Sequence, residues 1–273
     1  MTGCYLFMEK ADLDLLQYLN KNSQKRIDFP FLTFALKQMI SSINFVHKQG
    51  KSHGDLKLDN FFFFNESQNE EKNQQEYQKL IEIKQVETTL HYQGNNQNNK
   101  NEIKNYLQQE QNYLQNAIKI GDFGYCYDKM INSYSELIKL FNTKQQSLLS
   151  PEIANIINSK QFYQFTEKNI EPINLQKNDI YLYGTILFQM VFIKDLEFLN
   201  NNINEILNCQ TLEELYKILY KDKGVPKYIL HFPQQQVYQF YKIVKSCLIQ
   251  DQNERNITAQ QLEDQINLIQ QSL

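Results

Sequence analysis

From Ile180 to Phe192 the chain is apolar on every helical face, broken chiefly by Gly184 and Gln189. A helix with no polar face has no place on a surface, and this run is shorter than the ~20 residues a bilayer requires. It is therefore expected to be the buried central helix of a domain, with other helices packed around it. The composition supports such a core: of 273 residues, 41% are hydrophobic and 13% aromatic, too many for wholesale disorder.

Two further regions carry helical periodicity. Leu32, Leu36, Met39, Ile43 and Val46 recur at spacings of four, three, four and three, with Pro30 at the expected first helical position and Gly50 at the stop. Near the end of the chain, Val237, Phe240, Ile243, Val244 and Cys247 share one face. A last helix opens with the capping box Thr258-Ala259-Gln260-Gln261 and carries Leu262, Ile266, Ile269 and Leu273. Phe61–Phe64 and Ala117–Ile120 read as two short strands, and Gly124 to about Glu152 as a polar loop. The fold class that follows is mainly α (α+β), a helical bundle around the central helix with a short β-hairpin.

Between those strands the composition changes. Residues 65–115 are dominated by Asn, Gln, Glu and Lys, with a nearly pure polar patch at Gln93–Asn101. This stretch is expected to be a largely disordered insertion, with helical pieces near Leu80 and Leu107. Asn and Gln make up nearly a quarter of the whole chain, so the bias is not confined to it.

Charge and cysteine usage narrow the class further. With 28 basic and 31 acidic side chains, the net charge of -3 gives no global attraction for nucleic acid or an anionic membrane. Cys4, Cys126, Cys209 and Cys247 form no CxxC pair, and His47, His53, His91 and His231 have no zinc-ligand spacing. Isolated reduced thiols fit a cytosolic protein. Met1-Thr2-Gly3-Cys4 lacks the basic region of a signal peptide. A cytoplasmic location is the expectation, with the nucleus left open.

The chemistry concentrates in His53-Gly54-Asp55-Leu56-Lys57-Leu58-Asp59-Asn60 and, further on, Asp122-Phe123-Gly124. In a loop between a buried helix and a strand, Asp55 can take a proton from a hydroxyl. Lys57, two residues on, can supply positive charge to a transferring phosphoryl group. Asn60 and Asp122 are hard oxygen donors of the kind Mg²⁺ prefers. Gly124 would free the backbone directly after a metal-binding carboxylate.

These residues resemble the His-x-Asp-Leu-x-x-x-Asn and Asp-Phe-Gly motifs of the protein kinases. The resemblance continues in order. Tyr5-Leu6-Phe7-Met8-Glu9 resembles the strand and hinge between the family's two lobes. Ser150-Pro151-Glu152 resembles the Ala-Pro-Glu that closes the activation segment, and Asp179 to Gly184 the start of the central helix. Asp251 to Arg255 resembles the late Asp-x-x-x-Arg. Arg255 is one of only two arginines, with Arg26.

The resemblance implies a serine/threonine-type kinase, its hinge and C-terminal lobe spanning residues 1–273, with ATP and Mg²⁺ as cofactors and a Ser/Thr-bearing protein as substrate. Asp55 would be the catalytic base and Lys57 would neutralise the γ-phosphate. Asn60 and Asp122 would hold Mg²⁺ against the ATP phosphates. Met8 would be the gatekeeper, Glu9 to Ala11 the adenine-facing hinge, and Phe62 the floor of the adenine pocket. His53 and Phe123 would stack in a hydrophobic spine. Glu152 and Arg255 would form a buried scaffold ion pair, and Asp179 would anchor the backbone of the Asp55 loop. No nucleic acid or membrane is implied as a partner.

The sequence also departs from the family pattern. The Gly-rich loop, the Val-Ala-x-Lys strand and the helix glutamate of the N-terminal lobe have no counterpart, so a fragment of a longer kinase is expected. The alternative is a pseudokinase or adaptor lobe without phosphotransfer. Gly54 stands where the family usually has an arginine that pairs with a phosphorylated activation segment, so that switch is expected to be absent. The usual threonine seven residues before Glu152 is Gln145. The insertion is expected to project from the turn of the hairpin, away from the substrate.

Overall fold

The computed structural model describes residues 10–21, 28–65, 116–141, 149–158, 169–192, 196–221 and 232–271. Met8, Glu9, Gln145, Leu273 and the proposed insertion beyond Asn65 lie outside these. The first half of the chain supplies β1 (Leu13–Asp14), α1 (Leu15–Lys21), α2 (Phe29–Lys48), β2 (Lys51–Ser52), β3 (Phe61–Asn65) and β4 (Asn116–Ile120). Then follow β5 (Tyr127–Asp128), β6 (Met130–Ser133), α3 (Tyr134–Phe141), α4 (Pro151–Asn158) and β7 (Asn169–Asn174). The last part is helical: α5 (Leu175–Phe192), α6 (Leu196–Asn208), α7 (Leu212–Tyr220), α8 (Gln234–Cys247) and α9 (Ala259–Gln271). The molecule is mainly helical with small sheets, as the sequence predicts.

The central helix is α5. From Asn178 to Phe192 every residue except Gln189 is buried, and each large apolar side chain so enclosed contributes about 1.5–3 kcal/mol. Its main neighbour is α8. At Gly184 the two approach so closely that an added Cβ would lie 2.4 Å from Cβ of Cys247. Helix α2 packs against α5 and against α9. Its predicted stripe is buried, with Leu32, Leu36, Met39 and Ile43 fully enclosed. Asp28 caps it by accepting from Phe31 N–H at 2.8 Å, which places Pro30 at the second helical position. Gly50, with φ of 71°, turns the chain out of the helix as its N–H donates to the His47 carbonyl at 3.0 Å.

The hairpin of β3 and β4 is antiparallel in the register Phe61↔Ile120 to Asn65↔Asn116, and β1 adds a third strand on the β3 edge. Phe61 and Phe63 point into the core, and Phe62 faces the other side, half-buried. Asn65 and Asn116 thus stand paired at the end of the ladder far from Asn60 and Gly121.

Of the stretch from Gly124 to Glu152, expected as loop, the described residues lie largely in strands and helices. Strand β5 pairs with β2, β6 pairs with β7, and α3 and α4 pack with them around a second, smaller core of Ile131, Leu137, Phe141, Leu149, Ile153, Ile173 and Leu175. Helices α6 and α7 are also additions to the sequence-based picture. Thr211 caps α7 in a reciprocal box with Glu214. Among the described residues no helix is long and apolar enough to cross a membrane.

Candidate active site

The loop from His53 to Asn60 joins β2 to β3 and is held from below by α5. Asp179, fully buried, accepts from the backbone N–H of His53 at 2.7 Å and of Gly54 at 2.8 Å, one per carboxylate oxygen. His47 Nε2 lies 2.9 Å from the oxygen that His53 uses. The expected role of Asp179 as backbone anchor matches this geometry, and His47 is a further donor that spacing did not reveal.

Gly54 adopts φ of 77°, and an added Cβ would lie 2.5 Å from the Tyr125 carbonyl oxygen. The glycine is thus required by both backbone angle and close approach. It seats the loop against the residues that follow Asp122. His53 does more than pack. Its Nε2 is 2.9 Å from the Gly121 carbonyl and its Nδ1 accepts from Asp55 N–H at 3.3 Å, contacts that fit the tautomer protonated at Nε2. Its ring meets Phe123 edge-on at 5.0 Å between centroids, where stacking was expected. Phe123 is nonetheless 46% exposed.

Asp55, 4% exposed, faces Asn60. The Asn60 amide donates to the Asp55 carbonyl at 2.7 Å and to its carboxylate at 2.9 Å. Both partners accept, so the amide orientation is fixed and Oδ1 turns to the opposite side. Lys57 Nζ lies 3.4 Å from the same carboxylate oxygen. Gly121 N–H donates to the Asn60 carbonyl at 3.0 Å. The hairpin register thus delivers Asp122 beside Asn60, although the two are far apart in sequence.

Asp122 is exposed and itself takes the left-handed conformation, φ 58° and ψ 67°. The backbone freedom expected at Gly124 is used two residues earlier, at a residue type that tolerates it. What Gly124 supplies is room: an added Cβ would sit 3.3 Å from Asp122 Oδ1. The ring of Phe62 lies over Gly121, where a Cβ would come within 2.7 Å of it. Ala11 immediately precedes Asp12, whose N–H donates to the Phe63 carbonyl at 3.1 Å.

Asn60 Oδ1 and the Asp122 carboxylate are two hard oxygen donors on residues linked through the Gly121–Asn60 backbone bond. That set fits Mg²⁺, which keeps waters and phosphate oxygens around one or two protein ligands. Among the described residues no cluster of three or more His, Cys, Asp or Glu is placed to hold a metal. A groove of about 580 Å³ lies alongside, walled by Phe45, Val46, Lys51, Ile120, Phe123 and Cys126. It shares Phe123 with the site but includes none of Asp55, Lys57, Asn60 or Asp122.

The scaffold pair is also in place. Arg255, fully buried, makes a two-pronged contact with Glu152 at 2.9 and 3.2 Å and donates to the carbonyls of Ile249 and Lys177. Its guanidinium lies 4.9 Å from the centroid of the Tyr181 ring.

No family model matches the chain. A stretch of 57 residues is 47% identical to the serine/threonine-protein kinase MPS1 of Saccharomyces cerevisiae, covering 21% of this chain and 8% of that protein. The chain therefore spans less than a tenth of the length of the curated relative it matches, and its similarity to a serine/threonine kinase extends over about a fifth of its own residues.

Proposed function

We propose that this chain is the hinge and C-terminal lobe of a serine/threonine protein kinase domain, which transfers the γ-phosphoryl group of ATP to a protein hydroxyl. The observation that carries this reading is the joining of Asp55 and Asn60 by two hydrogen bonds, with Asp122 brought alongside by the Gly121–Asn60 backbone bond. The partial similarity to a serine/threonine kinase supports it.

In this reading Asp55 orients the substrate hydroxyl and receives its proton, and its own position is held by the Asn60 amide. Lys57 reaches the same carboxylate and offers its charge to the phosphoryl group in transit. Asn60 Oδ1 and the Asp122 carboxylate would hold Mg²⁺, which when bound neutralises charge on the phosphates. Phe62 and Ala11 would line the adenine side, together with Met8 and Glu9. The protein would work on Ser/Thr-bearing protein substrates in the cytoplasm.

The test is phosphotransfer from Mg·ATP to a generic protein substrate by the full-length protein, alongside Asp55→Asn and Asp122→Asn. Loss of the base is expected to cost about 10²–10⁴-fold in kcat, with ATP binding by Asp55→Asn retained. Equal activity in wild type and Asp55→Asn would remove Asp55 as the base. A wild-type protein that transfers no phosphate would leave the lobe as an adaptor.

A further inference from the structure

We infer that Gln176 is a positioning residue for the Asp55 loop. It sits in the first turn of α5, three residues before Asp179, so both side chains point to the same face of the helix. Its amide nitrogen donates to the His47 carbonyl at 2.9 Å and to the Lys51 carbonyl at 2.9 Å. Both partners accept, which fixes the amide orientation, since the flipped amide would set oxygen against two oxygens.

The His47 carbonyl, in the last turn of α2, accepts from Gly50 N–H at 3.0 Å and takes the Gln176 amide as a second donor. The Lys51 carbonyl begins β2, two residues before His53. Gln176 therefore ties the exit of α2 to the entry of the loop at a single point. The same exit carries the His47 imidazole that meets Asp179 at 2.9 Å. Asp179 in turn holds the N–H groups of His53 and Gly54.

Gln176 and Asp179 together make five hydrogen bonds to residues 47–54. The head of α5 that bears them is itself fixed. Gln176 N–H donates to Asn174 Oδ1 at 3.1 Å, and Leu175 N–H donates to the Lys129 carbonyl at 2.8 Å. Lys129 N–H closes the circuit on the Gly50 carbonyl at 3.0 Å. The clamp is thus anchored at both ends, and it acts on Asp55 only through the backbone. Gln176 is not a catalytic residue, and its effect on turnover, though not its geometry, rests on the kinase reading above.

The experiment compares Gln176→Leu, which keeps the volume and loses the donor, with Gln176→Glu, which sets a carboxylate against two carbonyls. The full-length protein is used, with thermal melting as the folding control. Amide hydrogen exchange at His53 and Gly54 is expected to rise about tenfold in Gln176→Leu and further in Gln176→Glu, the scale of one lost hydrogen bond. Amides of α8 and α9 should stay unchanged. In the phosphotransfer assay kcat should fall about tenfold, with KM for ATP within twofold. Unchanged exchange at His53 and Gly54 overturns the proposal, and so does a change shared equally by α8 and α9. If the wild-type protein transfers no phosphate, the kinase reading fails while the exchange data still decide the clamp.

Discussion

Gly50 and Gly54 both take positive φ, 71° and 77°, yet their surroundings differ. At Gly50 an added Cβ meets nothing within 4 Å, whereas at Gly54 it meets the Tyr125 carbonyl oxygen at 2.5 Å. Gly50→Ala should therefore cost only the left-handed backbone term, about 1 kcal/mol. Gly54→Ala adds a clash with backbone that has no flexible end to yield, and should cost roughly 2–4 kcal/mol in urea unfolding. Equal losses would mean that Tyr125 moves aside freely. Arg255 gives a second comparison. Arg255→Leu strands the Glu152 carboxylate and should cost about 3–5 kcal/mol, only part of which the further change Glu152→Gln should restore, because the Ile249 and Lys177 carbonyls still lose their donor. Asp55 and Asn60 were legible as neighbours in the sequence because they stand five residues apart in one loop, where their two hydrogen bonds form. His47 and Gln176 were not, since each acts on a residue that is distant along the chain and no spacing rule connects them. For Gly54 the sequence pointed to a missing arginine, whereas its place in the fold is set by the close approach of Tyr125.

Helix propensity and packing make opposite predictions for Gly184 in α5. In an exposed helix, alanine for glycine would stabilise by about 1 kcal/mol. Here the new methyl would meet Cβ of Cys247 at 2.4 Å and the Leu248 side chain at 3.1 Å. Gly184→Ala should therefore destabilise, by roughly 1–3 kcal/mol, by prising α8 off α5. A variant more stable than wild type in thermal melting would show that the crossing can open at no cost. The elements legible from sequence were those long enough to show their period: α2, α5, α8, α9 and the two strands of the hairpin. Strands β5 and β6 have two and four residues, too few for an alternation to declare itself. Helix α3 buries only Leu137 and Phe141, so its stripe is two residues long. The Thr211–Glu214 capping box did mark the start of α7, a signal equivalent to the one read at Thr258.

At the scale of the molecule, the two cores meet at α5, whose first residue Leu175 belongs to the smaller one. The buried acids of the larger core set its alkaline limit. Burial pushes the Cys247 thiol up to about 12 from 9.0 and the Tyr183 hydroxyl well above 10.0. The unfolded chain releases these protons near their ordinary values while the folded chain keeps them, so stability falls as pH rises. For each group the slope is about 1.4 kcal/mol per pH unit, beginning near 9 for Cys247 and near 10 for Tyr183. Urea midpoints should hold from pH 7 to 8.5 and drop by pH 10.5, with a shallower drop in Cys247→Ala. The hairpin register also frames a test of the insertion expected at residues 65–115. Asn65 pairs with Asn116, so the ladder is complete up to the point where residues 66–115 begin and end. The clamp on His53 and Gly54, the Asp55–Asn60 pair and the Glu152–Arg255 pair are all made by other residues. Replacing residues 66–115 with a short Asn-Gly turn should therefore leave the body folded. Closing a loop of a few residues instead of about 50 saves on the order of 2 kcal/mol of chain entropy, so the shortened protein should match or exceed wild type in urea. A loss of more than about 2 kcal/mol would mean that the excised segment packs on the body, because a loop that only links two paired strands has no such contribution to lose.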